Sequence, residues 1–90
     1  MNNYYLLTFN STHVAMEFEN ILKNQCSVIV MPTLREITTG CGISIKIKEQ
    51  EYEKALSTIS SSKIPDSAEY SIYSIEGLGK NKVIKQVKSI

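Results

Sequence analysis

The residue most suited to chemistry is Cys41, which stands between two glycines, Gly40 and Gly42. Glycine permits unusual backbone angles and close approach by another molecule, and it leaves a neighbouring thiol unshielded. A nearby cation or helix start lowers the pKa of a thiol and favours the nucleophilic thiolate. Arg35, six residues earlier, is a candidate cation, and its simpler interpretation is a solvated residue or an ion-pair partner of Glu36. The pattern favours an exposed, nucleophilic thiol, and the alternative is a small apolar residue packed under the segment.

Three polar residues near position 12 are candidates for the surroundings of that thiol. Ser11 and Thr12 precede an amphipathic segment, where such residues cap helices, and their hydroxyls could also hold an anion. His13 falls in the first turn of the predicted helix. A neutral imidazole there could carry a proton for Cys41, and the simpler interpretation is a solvated surface histidine.

The chain offers few ligands for a metal. It has two cysteines, Cys26 and Cys41, and one histidine, without a C-x-x-C pair. This set is too small for a structural zinc site, so we expect neither a metal nor a cofactor. Cys26 precedes a predicted strand and is interpreted as a packing residue. The alternating strand Ile43–Ile47 lacks the basic, glycine-rich signature of sheet-surface RNA readers, so we do not expect nucleic acid as a partner.

Apolar periodicity predicts six elements in the order strand, helix, strand, strand, helix, strand. This order is the split βαβ pattern of ferredoxin-like α+β folds, with a four-stranded antiparallel sheet and both helices on one face. The first strand is apolar without alternation, so it should be central in the sheet. The apolar phase changes between Ile72 and Tyr73, which predicts a β-bulge. The predicted strands are 4–9, 28–31, 43–47 and 68–75, and the predicted helices contain residues 14–22 and 52–59.

This topology has a consequence for Cys41. Strands one and two run in the same direction, so their C-terminal ends share one edge of the sheet. The start of the first helix, near Ser11, and the long segment 32–42 should therefore lie at the same end of the molecule.

The length and charge pattern predict one small domain with a basic tail. The chain has 90 residues, typical of a single domain, which we assign to residues 1–79. Residues 80–90 carry four lysines and no acid, and we expect this tail to be mobile or loosely docked. The start of the chain lacks the basic residues of a secretory signal, and no apolar run approaches the ~20 residues of a membrane span. We therefore expect a cytoplasmic protein without a membrane partner.

A family resemblance rests on three short motifs. They are Thr8-Phe9 followed by Ser11-Thr12, the run 32–37 (PTLREI), and Cys41-Gly42. Together with Ala15 and Glu19 they resemble the small bacterial family described as putative selenium/sulfur (Se/S) carrier protein-like. The resemblance covers about residues 4–48, and Leu34 stands where the family often has a second proline. It implies that Cys41 carries the sulfur and that Arg35, Ser11 and Thr12 surround it.

These observations predict a sulfur or selenium carrier. Cys41 would accept a persulfide or selenide from a donor protein and pass it to an acceptor protein. We expect a carrier more than a turnover enzyme, because the sequence offers no full acid–base set. The alternative is a non-catalytic interaction or regulatory module, and a homodimer is compatible with either. A metal carrier is a third possibility, which the single cysteine of the segment disfavours. The choice between sulfur and selenium stays open at this point.

Overall fold

The computed structural model describes most of the chain, in five stretches. They are residues 3–34, 37, 42–62, 69–77 and 82–89, with the side chains of residues 88 and 89 excepted. Arg35, Gly40 and Cys41 lie outside the described residues. The elements are β1 (Tyr4–Phe9), α1 (Thr12–Leu22), β2 (Val28–Pro32), β3 (Ile43–Lys48), α2 (Tyr52–Ser61), β4 (Tyr70–Glu76) and β5 (Val83–Ser89), and a single 3₁₀ turn at Glu49–Glu51 leads into α2.

Within the described residues the architecture is α+β, with two α-helices and one antiparallel sheet of five strands in the order β2-β3-β1-β4-β5. The central position of β1 confirms the expectation from its apolar run. The predicted number of four strands was wrong, because β5 adds a fifth beside β4. No helix in the described residues is both long enough and apolar enough to span a bilayer.

The fifth strand arises in the segment predicted to be a loose tail. Its apolar residues fall among lysines at a spacing that also suits a helix, so the local periodicity contains no clear strand signal. Pairing with the free edge of β4 decides the outcome, and Gly77, with φ 87°, supplies a left-handed turn residue directly after β4. That this segment is only loosely docked stays a prediction.

A β-bulge lies at the predicted position, between Ile72 and Tyr73, but on the neighbouring strand β5 and not on β4 itself. In the β4–β5 pairing, Ile72 is opposite Lys88 and Tyr73 is opposite Gln86, so the register shifts between them. The extra residue is Val87 of β5, whereas β4 continues without interruption against β1.

The larger core lies between the helices and one face of the sheet. Its helical members include Phe18 of α1 and Ala55 of α2, which pack with Leu7 of β1. The Phe18 ring is tilted against the rings of Phe9 and Tyr70, with centroid distances of 5.0 and 4.9 Å. Both helices therefore cover the same face, which we call the helix-covered face.

A smaller cluster covers the opposite, helix-free face. Leu6 is fully buried there together with Ile75 and Ile37. Leu6 and Leu7 point to opposite faces because side chains alternate along a strand. The central strand is thus buried on both sides, by helices on one face and by a cluster that includes Ile37 on the other.

Candidate functional site

The loop between β2 and β3 contains Cys41, and its two ends are tied together. The Thr33 N–H donates to the Gly42 carbonyl over 2.9 Å, which continues the β2–β3 ladder by one pair. The hydroxyls of Thr33 and Ser44 lie 2.7 Å apart, and Ser44 is fully buried. The chain therefore leaves the sheet at Thr33 and returns to it at Gly42 from a directly opposite position.

Ile37 anchors the middle of this loop. Its side chain is buried against Leu6 and Ile75, and its N–H donates to the Leu34 carbonyl over 3.0 Å in a tight turn. These contacts lie on the helix-free face. The loop is therefore held to the sheet at both ends and at Ile37, on the side opposite α1.

Gly42 faces open space. The residue is exposed, and a Cβ built on it would meet no atom within 4 Å. Its φ lies outside the left-handed region, so neither packing nor backbone geometry requires glycine at this position. The lack of a side chain instead leaves the C-terminal end of the loop open to another molecule.

The polar residues before α1 lie at the same end of the sheet as this loop. Thr8 of β1 and Met31 of β2 both pair with Ser44. The C-terminal ends of these two strands therefore lie at the same end of the sheet, as expected. The Ser11 hydroxyl accepts from the Val14 N–H over 3.2 Å and caps α1, which confirms its structural interpretation.

His13 is a surface residue. Its side chain is 82% exposed, and Nε2 lies 2.9 Å from Glu17 Oε1 one helical turn later. Thr12, which was predicted with Ser11 as a cap, is instead the exposed first residue of α1. The positions of these side chains relative to Cys41 and Arg35 fall outside the described residues.

Cys26 is a free thiol buried in the larger core. Burial raises its pKa, and the nearby Glu51 carboxylate raises the pKa further; a hydrogen bond with Thr58 and the charge of Lys54 act more weakly in the opposite direction. The thiol is therefore protonated and shielded at neutral pH, as expected for a packing residue.

Grooves border the helices in the part of the chain that the structure describes. A polar groove of about 550 Å³ lies between α1 and α2 and includes Asn24, Lys54 and Thr58. A smaller apolar groove of about 180 Å³ lies beside the β2–β3 edge, lined by Ala15, Met16, Glu19, Val30 and Ile43. Within the described residues, no group of three or more His, Cys, Asp or Glu side chains could hold a metal ion.

The family model described as putative Se/S carrier protein-like matches residues 4–71. The chain belongs to this family. The match extends beyond the motifs of the β1–β3 region, through α2 and into β4, and β5 lies outside it. Neither a curated protein nor a solved structure gave a significant match.

The sequence patterns did not indicate three residues that position the loop of this Se/S carrier-like chain. They are Thr33, Ile37 and Ser44. Ile37 could have been found, because Leu34 and Ile37 are apolar residues three apart in a segment that is otherwise mainly polar. Thr33 and Ser44 gave no such signal, since their pairing depends on the register of β2 and β3.

Proposed function

We propose that this protein carries sulfur or selenium on Cys41 between a donor protein and an acceptor protein. The observation that carries the proposal is family membership over residues 4–71, in a chain whose other cysteine is buried. Burial of Cys26 leaves Cys41 as the candidate nucleophile, because the reacting thiol must reach a partner. The protein acts as a carrier, since its own thiol is the site of the cargo.

The transfer is an exchange of one sulfur–sulfur bond for another. The Cys41 thiolate attacks the outer sulfur of a donor persulfide, and a new S–S bond forms at Cys41. The donor's S–S bond breaks, its electron pair leaves with the donor cysteine as a thiolate, and the outer sulfur keeps its proton. An acceptor thiolate then attacks the same outer sulfur and releases the Cys41 thiolate. No oxidant or reductant is consumed, and an outer selenium atom would follow the same steps.

The anchored loop supports this proposal. Bonds from Thr33 to Gly42 and Ser44 fix both loop ends, and buried Ile37 holds the middle. A cysteine within such a loop would be presented without a large loss of chain entropy on partner binding. Gly42 adds open space directly beside residue 41.

We further propose that the end of the molecule around α1 favours the thiolate. The first turn of α1 has no acidic side chain, so the positive end of the helix dipole is not neutralised there. Arg35 would add a cation, and Thr12, Gly40 and the Ser11 cap would complete the surroundings. His13 is the candidate proton carrier, which requires it to leave Glu17.

The decisive experiment is the pH dependence of iodoacetamide alkylation, with the label located by mass spectrometry. We expect Cys41 to titrate below the unperturbed thiol value of ~8.5 and Cys26 to react slowly. The variants Cys26→Ser and Cys41→Ser show which cysteine gives each alkylation reaction. Arg35→Ala should raise the pKa of Cys41 by less than about one unit. A Cys41 that titrates at or above the unperturbed value would remove the physical basis of the proposal.

Carriage itself needs a second measurement. Incubation with a cysteine desulfurase and cysteine should leave a persulfide on Cys41, visible as one added sulfur in the mass spectrum. Gly42→Ala is a matched variant, because its Cβ meets nothing and should change the free energy of unfolding by less than ~0.5 kcal/mol. We expect it to slow transfer from the protein donor and leave alkylation by the small reagent unchanged. Equal slowing of both reactions would contradict a role for Gly42 in partner access.

A second candidate function is a non-catalytic interaction or regulatory module. The exposed and uncharged β2 edge favours it, since such edges pair with other strands. A Cys41→Ser variant that keeps full function in cells would decide for this candidate. Loss of function in that variant, with the fold intact, would decide for the carrier.

We also infer a ferredoxin-like fold extended by one strand. The order β2-β3-β1-β4 and the placement of both helices on one face support this assignment, with β5 as an addition. We propose a bacterial cytoplasm as the compartment, because a reducing environment preserves free thiols such as Cys26.

A further inference from the structure

The two edge strands of the sheet, β2 and β5, differ in charge and in how well they are protected against pairing with a strand of another molecule. The β2 edge (residues 28–32) contains no charged residue, and its Ile29 and Val30 are exposed. The β5 edge contains the exposed Lys85, a residue of the kind that blocks unwanted strand pairing. The chain thus protects one edge with charge and leaves the other apolar.

The register shows which backbone groups the β2 edge offers. The Thr33 N–H donates to the Gly42 carbonyl, so the backbone groups of Thr33 point toward β3. Along an edge strand, residues whose backbone groups point toward the neighbouring strand alternate with residues whose groups point outward. Ile29 and Met31 therefore point their N–H and C=O groups toward β3, whereas Val28 and Val30 point theirs outward. Pro32 also falls at an outward position, where its missing N–H removes no bond to β3.

We propose that β2 pairs with β2 of a second copy of this chain, antiparallel and centred on Val30. In this register Val30 exchanges both backbone bonds with Val30 of the second copy, and the Val28 N–H donates to the second copy's Pro32 carbonyl. The pairing is isologous, so it closes after two copies and cannot extend into a filament.

Side-chain chemistry favours a second copy as the occupant. In the Val30-centred register Ile29 stands opposite Met31, and Val28 stands opposite Pro32, so every cross-strand pair is apolar. Self-pairing of the β5 edge would instead bring lysines close together, and like charges across strands are unfavourable. The apolar groove beside Val30 continues this surface onto α1, where Met16 is exposed.

The size of the edge predicts a weak dimer. β2 has five residues, which span ~17 Å. A stable dimer buries about 800 Å² per partner, and a short strand with one neighbouring helix face lies at or below this size. We therefore expect reversible association with a dissociation constant between about 1 µM and 1 mM.

Sedimentation equilibrium of the full chain under reducing conditions tests this proposal, from about 10 µM to about 2 mM. We expect concentration-dependent dimers that Val30→Lys weakens by at least about tenfold, because two lysines would then face each other. Val83→Lys is the matched control, since Val83 is an equally large β-strand valine of similar exposure, 47% against 42%, on the other edge. It should leave the dimer unchanged. Cys41→Ser should also dimerise, which separates this inference from the carrier function.

Amide exchange by NMR gives an independent readout of the register. As the concentration rises, exchange at Val28 and Val30 should slow, whereas exchange at Ile29 and Met31 should not change. A chain that stays monomeric throughout, or a dimer that survives Val30→Lys, would overturn the proposal. A monomer in which Val30→Lys impairs transfer from the desulfurase would also overturn it and assign the edge to a strand of that protein.

Discussion

The two faces of the sheet are stabilised in different ways. The helix-covered face packs side chains from both helices against four strands, with Phe18 near its centre. The helix-free face has a small cluster around Leu6 and Ile75, closed by Ile37 from the loop that contains Cys41. One face thus derives its burial from regular elements, and the other derives it partly from the candidate functional loop.

Because of this difference, substitutions on one face should change the stability of the whole fold, and substitutions on the other should change the position of the loop that contains Cys41. A change on the helix-covered face should affect the whole fold, because helices and strands share one cluster. A change at Ile37 or Thr33 should first affect the loop. Variants on the two faces can therefore test whether the loop is a distinct functional unit.

The largest effect is expected for Phe18→Ala. Phe18 is almost fully buried and contacts two other aromatic rings, so its loss removes apolar burial and leaves a cavity. We expect a loss of about 3–5 kcal/mol in the free energy of unfolding, measured by urea denaturation. At urea concentrations where the variant is still folded, the alkylation rate of Cys41 should match that of the wild type. A changed rate in the folded state would show that the two faces are coupled.

Ile37→Ala should give a smaller loss of stability and a clear effect on the loop. We expect about 2–3 kcal/mol, because the side chain is buried but lies at the edge of a small cluster. The alkylation rate of Cys41 should change, since the loop loses its central anchor. Ile37→Val is the control and should keep both properties close to wild type. A loss as large as that of Phe18→Ala would contradict the separation of the faces.

Deletion of residues 82–90 tests how firmly β5 extends the sheet. Within β5, the Ile84 side chain packs against the cluster on the helix-free face, whereas Val83 and Val87 are about half exposed. We expect a loss of about 1–2 kcal/mol and a lower melting temperature, with the remaining sheet intact by circular dichroism. The variant Ile84→Ala in the full chain should reproduce most of the loss. Global unfolding after the deletion would show that β5 is an integral strand.

Thr33→Val should loosen the ends of the loop. The change removes a hydroxyl 2.7 Å from that of Ser44, which is fully buried, and leaves that group without this partner. We expect a loss of about 1 kcal/mol, measured by thermal or urea denaturation. Thr33→Ser keeps the hydroxyl and should be more stable than Thr33→Val. The reverse order would mean that apolar packing at this site outweighs the hydrogen bond.

The smallest effect is a pH dependence that comes from Cys26. Because folding raises the pKa of this thiol, its protonated form is favoured in the native state. Its contribution to stability is complete below the unfolded value of ~8.5 and is lost as the pH rises through the raised native pKa. The stability of the wild type should therefore fall more steeply above that pH than the stability of Cys26→Ser. Cys41→Ser should retain the steep fall, and a flat difference curve would contradict the assignment.

Local sequence patterns predicted most of the regular elements. The apolar run of β1, the alternation of β3 and the helical spacing around Phe18 all depend on neighbouring residues, and all gave the correct element. The start of α1 near Ser11 and Thr12 was predicted for the same reason, and Ser11 is the cap. The register shift lies at the predicted position, but its extra residue belongs to β5, which the phase change within β4 did not indicate. For the candidate site, the sequence singled out Cys41 and Gly42 but not the anchors Thr33 and Ile37.

By itself, the sequence determined the two helices, four of the five strands, the central position of β1 and the family. These properties follow from short-range periodicity and from motifs read in order along the chain. The tertiary structure decided that residues 83–89 form a strand, that Ile37 closes the helix-free face and that the apolar strand β2 lies exposed at an edge of the sheet. Each of these depends on which distant segments meet, because a strand needs a partner edge and a loop residue needs a surface to cover.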